Sequence, residues 1–570
     1  MKQLAITLLS VVLAVMCWSC NIDEELTDAL PPNILLDNPA GTYTVKQGCE
    51  LTVVPEYESA EGAVYQWIMG GEVLSTSPLL SFTSDKVGRF YILLTVTTDA
   101  GSDREEICVE VTALEIPNVS IIGNKEQTIT LGSVLELMAS VRTTSLITTV
   151  EWRIGEQLLS QESVCSFAAS ECGDYTITVT ACNEDGTHSD TVRVTVVRPE
   201  DIPFEWAFAR TEYHTVEGRT VVISPDETPS REDVSYTWLI DSEEVGTECG
   251  LIYTPTAKGT HRIVGKATFE QGGSEMTLER SFSLEVFAED EFHRAANETS
   301  QADCNRVYEY TPAPGQFINE LKTGGFDGTQ TTSEAACRYA EKRINMGVWL
   351  SLGAFGGYIV VGFDHSINNA DGYDLAVASN AFDGSSEPGV VWVMQDENGN
   401  TLPDDTWYEL RGSETDVVTT IRDYAVTYWR PAAAGMPVVW TDNLGGKGEV
   451  DYLKTYHSQD YYYPLWIDSE SYTLRGTRLE ARNYDKSGNG SLWVQPHYDW
   501  GYADNFSPTD FVSTTKVNTF EISNAMDFAG KPVNLGHVDF VKVQCAVNSK
   551  SGWVGELSTE VSGVYDYRLK

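Results

Sequence analysis

Tyr65-Gln66-Trp67, Val150-Glu151-Trp152 and Tyr236-Thr237-Trp238 are the three short runs on which the fold of this chain turns. The first is followed by Gly88 before Phe90-Tyr91 and then by Gly101. The second is followed by Gly173 before Asp174-Tyr175 and then Gly186, and the third by Gly259 before Thr260-His261 and then Gly272. In all three the tryptophan-to-glycine step is 21 residues and the glycine-to-glycine step is 13. A period kept three times marks an array of one structural unit. Between the landmarks, apolar and polar residues alternate. Val192, Val194 and Val196 are interleaved with Arg193 and Thr195, and Ile107, Val109 and Val111 repeat the pattern, as strands with one buried face require. Asp99-Ala100-Gly101 and Glu184-Asp185-Gly186 supply the turns. The expectation is three antiparallel sandwiches, each with a tryptophan buried on a central strand. Counting from the shared glycine puts Cys108, Arg193 and Glu279 in one slot, which should face solvent.

These units read as immunoglobulin-like modules over 32–115, 116–198 and 199–288. Tyr-x-Trp followed by Gly-x-Tyr on the next long strand resembles the PKD domain family over residues 32 to 288, although the family's tryptophan-aspartate-phenylalanine-glycine run is absent. Pro117, Pro199 and Pro203 stiffen the junctions, as a spacer rod would need.

Upstream, Lys2 and the apolar run Leu4 to Met16 have the layout of a secretory signal, too short to span a bilayer. Cys17-Trp18-Ser19-Cys20 resembles a lipoprotein processing site cut before Cys20, giving a signal peptide over 1–19 and lipidation at Cys20. Asn21-Ile22-Asp23-Glu24-Glu25 resembles the acidic tag of surface-exported Bacteroidota lipoproteins and opens a tether over 20–31. The resemblance implies an outer-membrane protein on the cell surface, held by lipid alone.

Composition narrows the function. With 84 acidic against 38 basic side chains the formal net charge is −46, so a phosphate backbone would be repelled and nucleic acid is excluded as a partner. Setting aside Cys17 and Cys20 leaves nine cysteines at irregular spacing, with no CxxC and no zinc-site pattern, so no disulfide framework can be read.

The composition changes after residue 288. A polar linker is expected over 289–305, and nine of the fourteen tryptophans follow Arg306. Ser333 to Asn345 reads as a short amphipathic helix closed by Gly347. Apolar runs such as Tyr358 to Phe363 and Gly389 to Met394 predict a larger β-sandwich of jelly-roll type over 306–570, and an all-β chain overall.

Three clusters in this last domain carry chemistry. Asp396, Asn398 and Asn400 place oxygens at alternate positions, with Gly399 to turn the loop, a carbonyl at Leu402 and a carboxylate at Asp404, a pattern suited to a hard cation. The run resembles the calcium loops of thrombospondin type 3 repeats, which implies calcium as cofactor. Asp364, Asp374, Asp383 and Glu387 stand in Gly-x-Asp, Asn-Ala-Phe and Glu-Pro runs that resemble galactose-binding and discoidin-like surface sandwiches, as does the closing run Gly552 to Val561. Aromatic loops at Tyr456 to Trp466 and His497 to Asn505 offer Tyr461, Tyr462, Trp466, His497, Trp500, Tyr502 and Asp504 for ring stacking and hydrogen bonding to a sugar.

The chain lacks HExxH, GxSxG and a phosphate-binding glycine loop, so the expected role is binding, not catalysis. The first expectation is capture of an extracellular glycan, or of a micronutrient such as a cobalamin, for an outer-membrane transporter. Adhesion to another protein is the second. A glycan hydrolase is the third, and needs a cleft holding paired carboxylates, one with a raised pKa.

Overall fold

The computed structural model describes residues 30–570 apart from 144–146, 203, 227, 228, 230, 232 and 272. The signal peptide, Cys20, most of the acidic tether, Pro203 and Gly272 therefore lie outside the described residues. The chain divides into two compact units, one ending at Glu115 and the other running from Ile116 to Lys570. The architecture is all-β: three immunoglobulin/PKD-like sandwich modules and a larger C-terminal β-sandwich, with one α-helix among the described residues.

The first unit is module 1. Its five-stranded sheet runs Thr42–Lys46, Gly101–Thr112, Gly88–Thr98, Val64–Met69, Glu72–Ser75, and two short strand pairs complete the structure. The outermost strand, Thr42–Lys46, lies parallel to Gly101–Thr112, while the remaining pairs are antiparallel. Modules 2 and 3 repeat the order, with Glu126–Thr130 parallel to Gly186–Val197 and Glu212–Val216 parallel to Ser274–Phe287. Trp67, Trp152 and Trp238 are fully buried. Each indole N–H donates to a carbonyl ten residues on: Ser77 at 3.0 Å, Glu162 at 3.0 Å and Glu248 at 2.9 Å. The repeated bond satisfies the one polar atom of a ring that otherwise fills the core.

Two departures set module 3 apart. Its long hairpin, Gly259–Gln271 with Ser274–Phe287, is two residues longer on each strand than Gly88–Thr98 with Gly101–Thr112. Strand register therefore puts Ser283 opposite Glu212 where Cys108 lies opposite Thr42 and Arg193 opposite Glu126, which corrects the assignment of that slot to Glu279. Cys108 itself is half-buried, on the face opposite Ile107 and Val109. The second departure is opposite the core tryptophan. Leu94 and Val179 face it in the first two modules, and Gly265 takes that place in the third. The vacated volume holds Trp206, whose ring centroid lies 5.5 Å from that of Trp238. A Cβ on Gly265 would lie 2.8 Å from both indoles.

The C-terminal domain is built on a six-stranded antiparallel sheet in the order Arg306–Thr311, Tyr358–Asn368, His537–Cys545, Gly389–Met394, Trp407–Leu410, Ala525–Met526. A four-stranded sheet (Phe511–Val512, Val517–Phe520, Leu375–Ala378, Gly563–Asp566) closes over it. Val361, Val391, Val541 and Val543 from the first meet Leu375, Val377, Phe520 and Val564 from the second in one core. A third sheet, centred on Ile421–Trp429 and Ser471–Arg478, has its own core around Tyr424, Tyr428 and Phe355. Helix α1, Ser333–Asn345, has the expected bounds. Thr332 accepts the Ala335 N–H at its start, and Gly347 takes φ +64° after its end.

One expectation about domain organisation is corrected. Residues 289–305 are not a free linker, because Arg294 donates to Asp539 at 2.9 Å and to the Phe363 carbonyl at 3.0 Å, and the Cys304 N–H donates to the Val564 carbonyl at 2.9 Å. Modules 2 and 3 also contact the C-terminal domain. Arg210 of module 3 donates to the Asp404 carbonyl at 2.6 Å, Arg219 is buried against Gln395 and Glu397, and Glu136 of module 2 pairs with Lys447 at 3.8 Å.

Candidate functional site

Three carboxylates from separate stretches of the C-terminal domain converge. Glu387 ends the loop before strand Gly389–Met394, Asp504 stands in an irregular stretch at φ +52°, and Glu560 begins the short strand Glu560–Val561. Backbone contacts fix all three. The Glu387 N–H donates to the Asp504 carbonyl at 2.9 Å, the Glu560 N–H donates to Asp504 Oδ2 at 2.9 Å, and Thr559 Oγ1 donates to the Glu387 carbonyl at 2.9 Å. One carboxylate oxygen from each lies within 4.8 Å of the others. Burial, reinforced by the charge of Asp504, pushes Glu387 up to about 8. Burial pushes Asp504 up to about 7, and burial with both neighbours holds Glu560 well above the usual carboxylate range.

Glu387 and Glu560 open onto a cleft of about 320 Å³ that Trp349, Asn380, Tyr456, Trp553, Glu556 and Ser558 help to line. Tyr456 and Trp553 are 59% and 49% exposed, with ring centroids 5.8 Å apart. Phe317 packs edge-on against Trp349 at 5.4 Å and His457 at 4.8 Å, which fixes the opposite wall. Glu556 is buried, accepts the Gln316 N–H at 2.7 Å through one oxygen, and is pushed up to about 8 by burial. A larger cavity of about 810 Å³ lies between module 2 and the C-terminal domain. Its walls mix aliphatic side chains such as Met138, Val141 and Val439 with the charged groups Lys447, Glu449, Asp451 and Lys550, and Glu556 lines both spaces.

Of the residues picked from sequence, Glu387 and Asp504 come together here. The aromatic set is largely corrected: Tyr462, Trp466 and Tyr502 are core residues. The Tyr462 hydroxyl donates to the His457 carbonyl and accepts the Leu453 N–H, Trp466 stacks on Tyr310 and Phe326 at 5.7 Å each, and the Tyr502 hydroxyl accepts the Glu414 N–H. Residues 461–463 lie outside any strand, so side-chain alternation does not apply and Tyr462 and Tyr463 both turn inward. Tyr461 is half-buried, His497 is exposed, and Trp500 lines a separate cavity beside Arg411 and Asp510. Asp364 braces His365, whose other ring nitrogen meets Asp566 at 2.9 Å, and Asp383 is exposed in the Phe382–Ser385 turn.

The Asp396 to Asp405 loop forms a clasp. Asp396 is buried and its oxygens accept the Gly399 and Thr401 N–H groups at 2.8 and 3.0 Å. The Asn398 and Asn400 amides donate to Asp404, the Asn398 amide also meets His214 of module 3, and Leu402 is exposed. Its acidic groups contact the loop itself and module 3, with buried Glu397 leaving Oε2 unpartnered, and Glu387, Asp504 and Glu560 form the one group among the described residues with three carboxylate oxygens within 4.8 Å of one another. Glu560, Trp349 and Trp553 were missed as site residues. The available signal was an acid inside the otherwise uncharged stretch Leu557 to Val561.

No curated protein matches the chain. Among solved structures, it is similar to three N-terminal domains of the highly immunogenic outer capsid protein of bacteriophage RB49 (13% identity, 46% of this chain and 99% of that one, TM-score 0.20). It is also similar to an I-band fragment of titin (14%, 45% and 99%, 0.20) and to fibronectin(III)-like modules of Clostridium thermocellum CbhA (15%, 32% and 100%, 0.17). Within module 1, residues 31–98 match the family model of the PKD-like domain.

Proposed function

We propose that this chain is a surface lipoprotein of Bacteroidota type, anchored through Cys20, whose C-terminal sandwich captures an extracellular glycan in the cleft of Trp349, Tyr456 and Trp553. The observation that carries the reading is the pairing of exposed rings with Asn380, Glu387 and Ser558 on one concave surface. Rings stack on the apolar faces of sugars while amides and carboxylates take their hydroxyls. The PKD-like modules are sandwiches of a kind that spaces and presents rather than catalyses, and delivery of the ligand to an outer-membrane transporter suits a lipid-held protein. A cobalamin-type ligand is the alternative small molecule for the same cleft. Calorimetric titration of the full chain with a panel of oligosaccharides and with cobalamin tests the proposal: saturable binding by one class supports it, and no binding by any sends the function toward adhesion.

A second reading has its own observation. Glu387, Glu556 and Glu560 face the same cleft, and glycoside hydrolysis uses two carboxylates across a bound sugar. Release of reducing ends from an oligosaccharide that binds, abolished in Glu387→Gln or Glu560→Gln, would move the domain from capture to hydrolysis.

A further inference from the structure

The Glu387, Asp504 and Glu560 cluster poses a problem that glycan capture does not solve. Three carboxylates with oxygens within 4.8 Å of one another, two of them buried and Glu387 half-buried, can coexist only by holding protons or by sharing a cation. The groups that act on them most strongly are each other, Glu556, Ser379, Ser558 and backbone N–H groups, with no lysine, arginine or histidine among them. Three other buried acids have cations, whereas Asp510 and Glu409 are hydrogen-bonded by neutral donors alone. Glu397 has Arg219, Asp539 has Arg294 and Asp374 has Arg568.

A separate observation is an unsatisfied atom. Asp504 is 1% exposed, its Oδ2 accepts the Glu560 N–H, and its Oδ1, with the Ser379 hydroxyl and the Ala381 N–H nearby, completes no well-formed hydrogen bond. Glu556, 5% exposed on the same cleft, likewise leaves Oε2 without a partner. Buried carboxylate oxygens are normally satisfied, and an ion is a recognised reason for one that is not.

We propose that Glu387, Asp504 and Glu560 are a binding site for a divalent cation, calcium, at the floor of the aromatic cleft. The donors are oxygen alone, without thiolate or imidazole, which selects a hard cation over zinc or copper. Three carboxylates leave part of calcium's six to eight positions for water or for ligand hydroxyls entering from the cleft. This site is distinct from the Asp396 to Asp405 loop, where calcium was expected from sequence.

The test is thermal unfolding of the full chain with millimolar calcium chloride or with chelator. Calcium should raise the midpoint by several degrees in the wild type and in Asp396→Asn, since a ligand that binds only the folded state stabilises it. Glu387→Gln/Glu560→Gln should fold, melt in chelator no lower than the wild type because repulsion is relieved, and gain nothing from calcium. Absence of a shift in the wild type, or a shift that survives the double substitution, overturns the assignment. A shift lost in Asp396→Asn and kept in the double variant overturns it in favour of the loop. No glycan enters the measurement, so its outcome is independent of the glycan reading.

Discussion

Arg219, on module 3, donates to Glu397, on the C-terminal domain, across 3.2 Å with both side chains out of solvent. The same guanidinium donates to Gln395 at 2.8 Å and pairs with Glu289, so one side chain ties module 3 both to the 289–305 segment and to the sandwich. Removing the guanidinium leaves buried Gln395 and Glu397 without their donor, at a cost of about 1–3 kcal/mol. Arg219→Met should lower the unfolding midpoint of the unit from Ile116 to Lys570 and leave module 1 unchanged. Differential scanning calorimetry resolves the two.

The same joint makes stability depend on pH. Burial pushes Glu397 up to about 8 from 4.5 and Asp405 up to about 7 from 3.8. Folding therefore favours the protonated forms. Their contribution is complete below the unfolded values and is lost as pH rises through 7 and 8. Between pH 5 and 8 the midpoint should fall, and Glu397→Gln, which cannot ionise, should flatten the fall. A variant that declines as steeply as the wild type would remove Glu397 from the explanation.

Module 3 offers a packing test. Gly265→Leu restores the residue type of Leu94 in module 1, yet its side chain would collide with Trp206 and Trp238. Overpacking of this kind costs about 1–3 kcal/mol, and Trp206→Ala alone about 3–5 kcal/mol. The two changes together should cost less than their sum, because each relieves the other. Additive losses in urea denaturation would show that Trp206 does not occupy the space that Gly265 leaves.

All nine cysteines among the described residues are free thiols. A reducing agent should leave the unfolding midpoint unchanged. In the native protein, iodoacetamide should label Cys49 and Cys172, which are exposed, while Cys304 and Cys545, pushed by burial up to about 12 and about 11, react only after unfolding. Peptide mass spectrometry before and after denaturation reads both.

The modules were legible because Trp67, Trp152 and Trp238 with their following glycines are local landmarks, each set within a single hairpin-linked core. Helix α1 was legible for the same reason, having its terminating Gly347 next to it in the chain. The site was only half legible. Glu387 and Asp504 were candidates, but Glu560 joins them through the pairing of Glu560–Val561 with Leu350–Ser351, a contact across about two hundred residues that no local pattern reveals. The aromatic loops misled because Tyr462, Trp466 and Tyr502 lie in irregular segments, where tertiary packing alone decides which ring turns inward. The 396–405 loop has the composition of a cation loop, but its oxygens accept its own backbone and amide hydrogens, and contacts to His214, Arg210 and Arg219 occupy its outer side.

The most direct test of ligand capture is a calorimetric comparison of wild type, Trp553→Ala and Tyr462→Phe against an oligosaccharide that the wild type binds. Loss of the exposed Trp553 ring should weaken affinity about tenfold, the worth of one stacking contact of roughly 1.4 kcal/mol. The buried Tyr462 change should lower stability and leave affinity intact. Equal affinity in Trp553→Ala and the wild type would contradict the assignment of this cleft as the binding site.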